Sequence, residues 1–134
     1  MNKLILTLVF TLISLGIFAQ SKTVPTDKAL TKLMEVKKGM NAVNSITNDL
    51  AQKLTASKSA NFKTEMNNFK ADLISNSFKT FKETYSASEI DAIYAECTSD
   101  KIDYTDLTNG FFRKWRQLKG QFFKNAKETY LKYQ

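Results

Sequence analysis

Histidine is absent from this chain, and that absence excludes more chemistry than any other feature of the composition. Histidine is the commonest general base, the commonest metal ligand and the usual partner of serine or cysteine nucleophiles. Cys97 is the only cysteine, so an ordinary zinc site cannot be assembled either. We therefore predict a protein without a catalytic site, a metal or a cofactor. A small enzyme that uses carboxylates or lysine is the least favoured alternative.

Glycine, proline and cysteine are also scarce. Four glycines and one proline argue against a turn-rich all-β domain. A single cysteine cannot form a disulfide within the chain, so the fold has to rest on its apolar core. A lone thiol in an exported protein is buried, reactive or paired with another molecule. For Cys97 we predict burial.

The first nineteen residues have the pattern of a secretory signal peptide. Lys3 provides a positive charge, Leu4–Phe18 is almost uninterrupted apolar sequence, and the small Ala19 precedes a polar segment. The apolar run is shorter than the roughly 20 residues that span a bilayer as a helix. We predict cleavage between Ala19 and Gln20 and a periplasmic or secreted mature chain, with an uncleaved signal anchor as the alternative.

The formal net charge of +7 is unevenly distributed. Lysines outnumber acids from Lys22 to Lys82, acids dominate from Glu83 to Asp106, and the segment from Phe111 to Gln134 is strongly basic. A basic chain can indicate nucleic-acid binding. Export makes nucleic acid a poor match, so the expected counter-charge is an anionic lipid, lipopolysaccharide or the acidic face of an envelope protein.

The mature chain is long enough for one domain. We expect a short leader over residues 20–26 and a single helical domain over residues 27–134. Thr26 stands where a helix N-cap would, and apolar residues then recur at three- and four-residue steps, which is helical spacing. Five helices are expected: from Asp27 to about Lys38, from Met40 to about Ala56, from Ser59 to Thr84, from the Ser86 cap to about Thr98, and from Asn109 to Tyr133. Between them we expect a break at Gly39, a polar joint at residues 57–60 and a loop at residues 100–110.

Two local patterns lie around the fourth helix. The sequence Ser86-Ala87-Ser88-Glu89 predicts a capping box, in which serine and glutamate side chains each bond the other's backbone N–H. Cys97 falls on the apolar side of this helix. Asp100, Asp103 and Asp106 then invite a calcium hypothesis, but their spacing does not fit a helix–loop–helix calcium site, so we interpret this segment as a solvated acidic turn.

The last helix is basic, aromatic and amphipathic. Its apolar arc consists of Phe111, Trp115, Leu118, Phe122, Ala126 and Tyr130, and Lys119 intrudes on that arc. The candidate interaction surface consists of Arg113, Lys114, Arg116, Lys124 and Lys127. This composition describes an interfacial membrane helix. It also describes a core helix with a cationic outer face, which is the interpretation we favour for a folded domain.

Several motifs occur in an order known from an exported bacterial family. Leu30-Thr31-Lys32-Leu33-Met34 matches a Leu-rich first helix. Tyr85-Ser86-Ala87-Ser88-Glu89-Ile90 matches a hallmark in which an aromatic residue, a serine or threonine and a glutamate open a helix. Ile93-Tyr94 matches the following Phe-Tyr pair with one substitution. In these respects the sequence resembles the family called domain of unknown function 2059.

The resemblance extends over about Leu30 to Tyr130 and implies a compact helical bundle in the bacterial envelope. The family's Ser-Pro-x-Gly-x-Lys turn is matched here only by Lys101, because Cys97 and Ser99 stand in place of the proline and glycine. The family supplies no known reaction, so no catalytic residue is carried over.

The sequence as a whole predicts an all-α fold, a single bundle of four to five helices behind a signal peptide. Short joints predict that successive helices pack antiparallel. The favoured function is that of an exported envelope protein that acts by binding or assembly. The alternative is a peripheral membrane protein that binds anionic lipid through its last helix. Partner identity, physiological role and oligomeric state stay open.

Overall fold

The computed structural model describes residues 24–99 and 105–134. These ranges contain no strand and consist of the helices Thr26–Val36 (α1), Asn41–Gln52 (α2), Ala56–Thr84 (α3), Ala87–Thr98 (α4) and Thr105–Tyr133 (α5). The predicted all-α bundle is confirmed, with five helices. The predicted signal peptide, its cleavage site at Ala19 and Gln20, and the side chains of the acidic turn lie outside the described residues.

The two long helices α3 and α5 lie side by side and run antiparallel. Each has 29 residues, which corresponds to about 43 Å at 1.5 Å per residue. At one end of the pair, Lys132 Nζ lies 2.6 Å from Glu65 Oε1. At the other end, the Tyr85 hydroxyl donates to the Leu107 carbonyl over 2.7 Å. The other three helices pack around this pair.

The apolar core has two parts, one at each end of the α3–α5 pair. In the first, α1 and α4 cover the end of α3 and the beginning of α5, with buried side chains that include Leu33, Phe81, Ile93, Phe111 and Trp115. In the second, α2 covers the opposite end, with Val43, Leu50, Phe62, Met66 and Phe122. Met40 packs against both clusters, so the turn between α1 and α2 lies where the two parts of the core meet.

The short connections between helices led us to predict that successive helices pack against each other. Fewer of them do so than predicted. α2 and α3 do so, and Lys70 Nζ donates to Asn44 Oδ1 over 2.8 Å between them. Elsewhere in the described chain the main neighbours are distant in sequence, because α3 packs on α5 and α1 packs on α4. The antiparallel prediction therefore holds for one successive pair and is wrong as a general rule for this bundle.

α1 and α4 run parallel to each other. Near their N-terminal ends, the Val24 backbone N–H donates to Asp91 Oδ1 over 2.8 Å. One turn further along both helices, Lys28 Nζ lies 5.5 Å from the centre of the Tyr94 ring. Two helices can pack in parallel when the chain between them returns to the end of the bundle at which the first helix begins. Here the long helix α3, which precedes α4 in the chain, makes that return.

α1 begins differently from the prediction. Thr26 is its first helical residue, and Pro25 takes the N-cap position that we had expected Thr26 to fill. The Pro25 carbonyl accepts a hydrogen bond from Ala29 over 3.1 Å, and no side chain caps this end. Proline fits here because it has no N–H that would need a partner.

α3 begins three residues before the predicted start. Residues 57–60, predicted as a polar joint, are helical, and the joint is the shorter segment Lys53–Thr55. The first turn of α3 is mostly exposed. Because an exposed turn needs no apolar residues, the helical periodicity in the sequence begins only at Phe62.

α5 also begins earlier than predicted, at Thr105 instead of Asn109. The second half of the predicted loop at residues 100–110 is therefore helical. Thr108 is buried and Leu107 packs against the first core cluster. Tertiary packing thus extends the helix into a polar, glycine-containing segment that resembles a loop in sequence.

Candidate functional site

The apolar arc of α5 faces the interior of the bundle. Phe111, Trp115, Phe122 and Ala126 are buried, and Trp115 is only 3% exposed. The Phe111 ring packs edge to face against Phe81 with centroids 5.3 Å apart. The prediction of a core helix with a cationic outer face is confirmed. None of the helices within residues 24–99 and 105–134 has the length and apolar character of a membrane span.

Four of the five predicted surface residues form one exposed stripe on α5. Arg113, Arg116, Lys124 and Lys127 are all exposed, and they fall within about 80° of the helix circumference at 100° per residue. From Arg113 to Lys127 the stripe is about 21 Å long. We call these four residues the basic stripe. Its position on a rigid helix fixes the spacing of four positive charges.

Lys114 is the predicted surface residue that does not lie on this stripe. It is exposed but lies about 100° around the helix from Arg113. Its Nζ donates to Thr84 Oγ1 over 3.2 Å, toward the end of α3. The structure therefore separates Lys114 from the other four residues of the predicted surface.

A second cationic site lies beside the α1–α2 turn and was not predicted. Lys37 and Lys38 of the turn lie on one side of this site, and Phe112, Trp115, Arg116 and Lys119 of α5 lie on the other. The site is open to solvent and has a volume of about 360 Å³. None of the lining residues that the structure describes is acidic. We call it the cationic cleft. The sequence feature that could have indicated this site is the pair Lys37-Lys38 before Gly39, for which the sequence pattern predicts only the end of a helix.

Trp115 forms part of the wall of the cationic cleft and carries an unpaired donor. Its Nε1 is buried and has no hydrogen-bond partner among the described residues. An unsatisfied buried polar group costs about 1–3 kcal/mol. Lys119 Nζ lies 4.8 Å from the centre of the Trp115 ring, so the lysine that interrupts the apolar arc makes a cation–π contact.

An apolar groove lies on the other side of the α1–α2 turn. Leu30, Met34, Met40 and Ile74 contribute its main apolar side chains, and its volume is about 490 Å³. We call it the methionine groove. Lys38 lines both this groove and the cationic cleft. Both volumes lie within the range of about 300–1,000 Å³ that is usual for small-molecule sites.

The backbone of the α1–α2 turn is held in a Schellman motif. The Gly39 N–H donates to the Met34 carbonyl over 2.9 Å, and the Lys38 N–H donates to the Glu35 carbonyl over 3.2 Å. Lys38 has a φ of 53°, in the left-handed region where glycine is the usual residue. A Cβ at Gly39 would lie 2.5 Å from Met34 Cε, so a larger residue at this position would require the end of the Met34 side chain to move.

A buried tyrosine links the α3–α4 junction to α5. The Tyr85 hydroxyl donates to the Leu107 carbonyl over 2.7 Å and accepts from the Phe111 N–H over 3.1 Å. It thereby bridges a carbonyl and an N–H that are four residues apart in α5. Burial raises the pKa of Tyr85, and the hydrogen bond from Phe111 acts in the opposite direction.

Cys97 is buried as predicted, with 5% of its surface exposed. Burial raises the pKa of the thiol, and the neighbouring Glu96 carboxylate acts in the same direction. A raised pKa reduces the thiolate fraction, which is the reactive form. Cys97 is therefore a core residue of α4, and we expect its thiol to react slowly in the folded protein.

The titratable residues within the described part of the chain are its possible metal ligands. No cluster of three or more acidic or cysteine side chains within the described ranges could hold a metal ion. The tightest polar cluster joins Glu65 to Lys132 and Tyr133, each with a 2.6 Å bond to Glu65 Oε1. These bonds lower the pKa of Glu65, and the cluster ties the end of α5 to α3.

Comparison with known proteins gives no match: no protein-family model matches the chain, and no curated protein or solved structure is similar to it. The resemblance to the family called domain of unknown function 2059 therefore stays a prediction.

Proposed function

We propose that the protein is an exported helical protein of the bacterial envelope that acts by binding an acidic protein through the basic stripe of α5, without catalysis. The observation that carries this proposal is the alignment of Arg113, Arg116, Lys124 and Lys127 on one exposed helix face. Clustered charge of one sign raises the rate of association with a partner of opposite charge and orients it.

An acidic protein face fits the stripe better than a membrane surface does. An interfacial membrane helix inserts its apolar side into the lipid. In α5 that side is buried in the bundle, so only the charges and the exposed Leu131 are available outside. Charge alone gives weak membrane binding that salt disrupts. Binding of anionic lipid through the stripe is the alternative function.

Export and family membership are further parts of the proposal. Export is supported by the order of Lys3, the apolar Leu4–Phe18 and Ala19. Membership in the family called domain of unknown function 2059 is supported by the capping-box motif from Tyr85 to Ile90 and by the all-helical fold.

Site-specific photocrosslinking in the native host tests the binding surface. A photoreactive amino acid is placed at Gly120, which is exposed, lies within the arc of the stripe, and has no atom within 4 Å of a Cβ built there. The matched control position is Asn68, which is exposed on α3. We expect a discrete protein adduct from Gly120 and none from Asn68.

A charge variant completes the test. Arg113, Arg116, Lys124 and Lys127 are replaced by glutamine together, and the control replaces the exposed Lys53, Lys63, Lys79 and Lys82. Both variants lose four positive charges, but only the first should lose the adduct. Adducts with lipid alone would favour the alternative function, and adducts that survive loss of the stripe would contradict the proposal.

A further inference from the structure

We propose that the α1–α2 turn carries a binding site for a single-chain anionic amphiphile, with the anionic head group in the cationic cleft and the apolar chain in the methionine groove. The two cavities border the same turn and share Lys38. The proposal does not rest on the basic stripe, from which it uses only Arg116 at the edge of the cleft.

The cleft has the chemistry of an anion site. The basic lining residues on which the proposal rests are Lys38, Arg116 and Lys119, and none of the described lining residues is acidic. Trp115 contributes its ring to the wall of the cleft, and Lys119 Nζ lies 4.8 Å from the centre of that ring. A carboxylate or phosphate head group in the cleft would accept hydrogen bonds from these ammonium and guanidinium groups, and such charge-assisted bonds are stronger than those between neutral groups.

The groove has the chemistry of an aliphatic chain site. Met34 and Met40 are flexible and polarisable, and side chains of this type adapt to apolar ligands. Ile74 is 51% exposed in the groove wall, so an apolar surface is left uncovered there. The Met34 side chain packs directly over Gly39 of the turn.

The turn keeps a lysine where its backbone favours glycine. Lys38 has a φ of 53°, which costs free energy for any residue with a Cβ. Residues in such conformations concentrate at ligand sites, where the side chain is needed in spite of its cost. Lys38 is also the residue common to both cavities, so its charge lies at the junction of head group and chain.

The test measures binding of decanoate and decyl phosphate by calorimetry at low salt, with decanol and acetate as matched probes. Decanol has the chain without the charge, and acetate has the charge without the chain. We expect at least one of the two amphiphiles to bind roughly tenfold or more tightly than either partial probe. The two amphiphiles separate a carboxylate head group from a phosphate head group.

The single tryptophan reports where the amphiphile binds. The protein has one indole Nε1–H signal in a proton–nitrogen correlation spectrum, that of Trp115. The amphiphile that binds should shift this signal, because its charged head group would lie against the Trp115 side chain in the cleft wall, and decanol should not. Binding that leaves the indole signal unchanged would place the ligand elsewhere and overturn the proposal.

Two exposed positions separate the head-group and chain contributions. Lys38→Asn removes the charge and keeps a residue that tolerates positive φ, so it should weaken the amphiphile roughly tenfold and leave decanol unaffected. Ile74→Glu should weaken the binding of both the amphiphile and decanol. The controls Lys79→Asn and Leu131→Glu change other exposed residues, which lie outside both cavities, and should have no effect. Three results would refute the site. They are equal affinity for the amphiphile and the partial probes, no binding of either amphiphile, and unchanged affinity in the Lys38→Asn variant.

Discussion

Lys38 combines a strained backbone with an exposed positive charge at the turn between α1 and α2. The strain is local, since the turn's hydrogen bonds to Met34 and Glu35 are those of an ordinary Schellman motif. Glycine would satisfy the same motif at lower cost. The residue is therefore unfavourable for stability, and its effect on folding can be measured apart from any ligand.

Lys38→Gly should make the protein more stable. Removing the Cβ relieves about 1–2 kcal/mol of left-handed strain, and the greater freedom of glycine in the unfolded chain offsets about 0.5–1 kcal/mol of it. We expect a net gain of about 0.5–1 kcal/mol in urea unfolding. The same change at Lys79, within α3, should cost about 1 kcal/mol. A Lys38→Gly protein that is clearly less stable would contradict the backbone assignment.

Tyr85→Phe should destabilise the bundle by about 1–3 kcal/mol, because the hydroxyl that bridges Leu107 and Phe111 is lost inside the protein. Tyr94→Phe, at a half-buried tyrosine, is the control and should cost much less. Both variants are compared by thermal unfolding at neutral pH.

The pKa of Tyr85 adds a pH dependence to the same prediction. The pKa is raised in the folded protein above its ordinary value of 10.0, so the contribution of the neutral form is complete below pH 10 and is lost as pH rises through the folded pKa. Wild type should therefore lose stability above about pH 10, and Tyr85→Phe should lose less over the same interval. Parallel profiles for the two proteins would contradict this role for Tyr85.

At the scale of the helices, α4 begins with the capping box that the sequence predicted. The Glu89 N–H donates to the Ser86 hydroxyl over 3.3 Å, and the Ser86 N–H donates to the Glu89 carboxylate over 3.0 Å. The second bond lowers the pKa of Glu89. Its contribution is therefore present above the ordinary carboxyl pKa and lost as pH falls through the folded value.

Ser86→Ala should lower the free energy of unfolding by about 0.5–2 kcal/mol through loss of this cap. Ser75→Ala, at an exposed position within α3, is the control and should be neutral or slightly stabilising, since alanine is the better helix former. Urea unfolding followed by far-ultraviolet circular dichroism measures both. If Ser86→Ala is as stable as wild type, the cap does not hold α4 in place.

Helices were predictable from sequence where an apolar stripe faces the core. Phe62, Phe81 and Phe111 each begin or continue such a stripe, and all three are buried. The beginning of α3 was missed because its first turn is exposed and has no reason to be apolar. The beginning of α5 was missed because its polar residues become helical only through contacts with the rest of the bundle.

The basic stripe was easier to predict from sequence than the cationic cleft, because the stripe lies on a single helix and the cleft does not. Residues of the basic stripe lie on one helix, so Arg113, Arg116, Lys124 and Lys127 could be grouped from sequence, although the prediction also included Lys114, which lies about 100° away from Arg113. The cationic cleft joins Lys38 to Lys119, which are brought together only when α1 and α5 pack in one bundle. No local pattern reports a contact between segments so distant in the chain.

At the scale of the whole molecule, the exported protein should begin at Gln20. The motivation is the signal-peptide pattern of Lys3, Leu4–Phe18 and Ala19. Mass spectrometry of the protein from its native host should find a mature N-terminus at Gln20, as glutamine or as its cyclised form. Recovery of a full-length chain that starts at Met1 and stays in the membrane would contradict export with cleavage.

The way α5 packs in the core determines which of its sides can contact a partner. The apolar side of α5 is used to join α1, α2, α3 and α4 into one bundle, so its basic side is what the helix offers to a partner. Burial of Phe111, Trp115 and Phe122 stabilises the fold by about 1.5–3 kcal/mol for each side chain. Insertion of α5 into lipid would forfeit that stabilisation.

Quenching of Trp115 fluorescence by vesicles with brominated acyl chains tests this central claim most directly. Bromine quenches only a tryptophan that enters the acyl region, and Trp115 is the single tryptophan of the chain. The account predicts blue-shifted emission in buffer and no quenching when anionic brominated vesicles are added. Strong quenching that salt abolishes, and that neutral vesicles do not produce, would show that α5 inserts its apolar face into the membrane and would contradict the account.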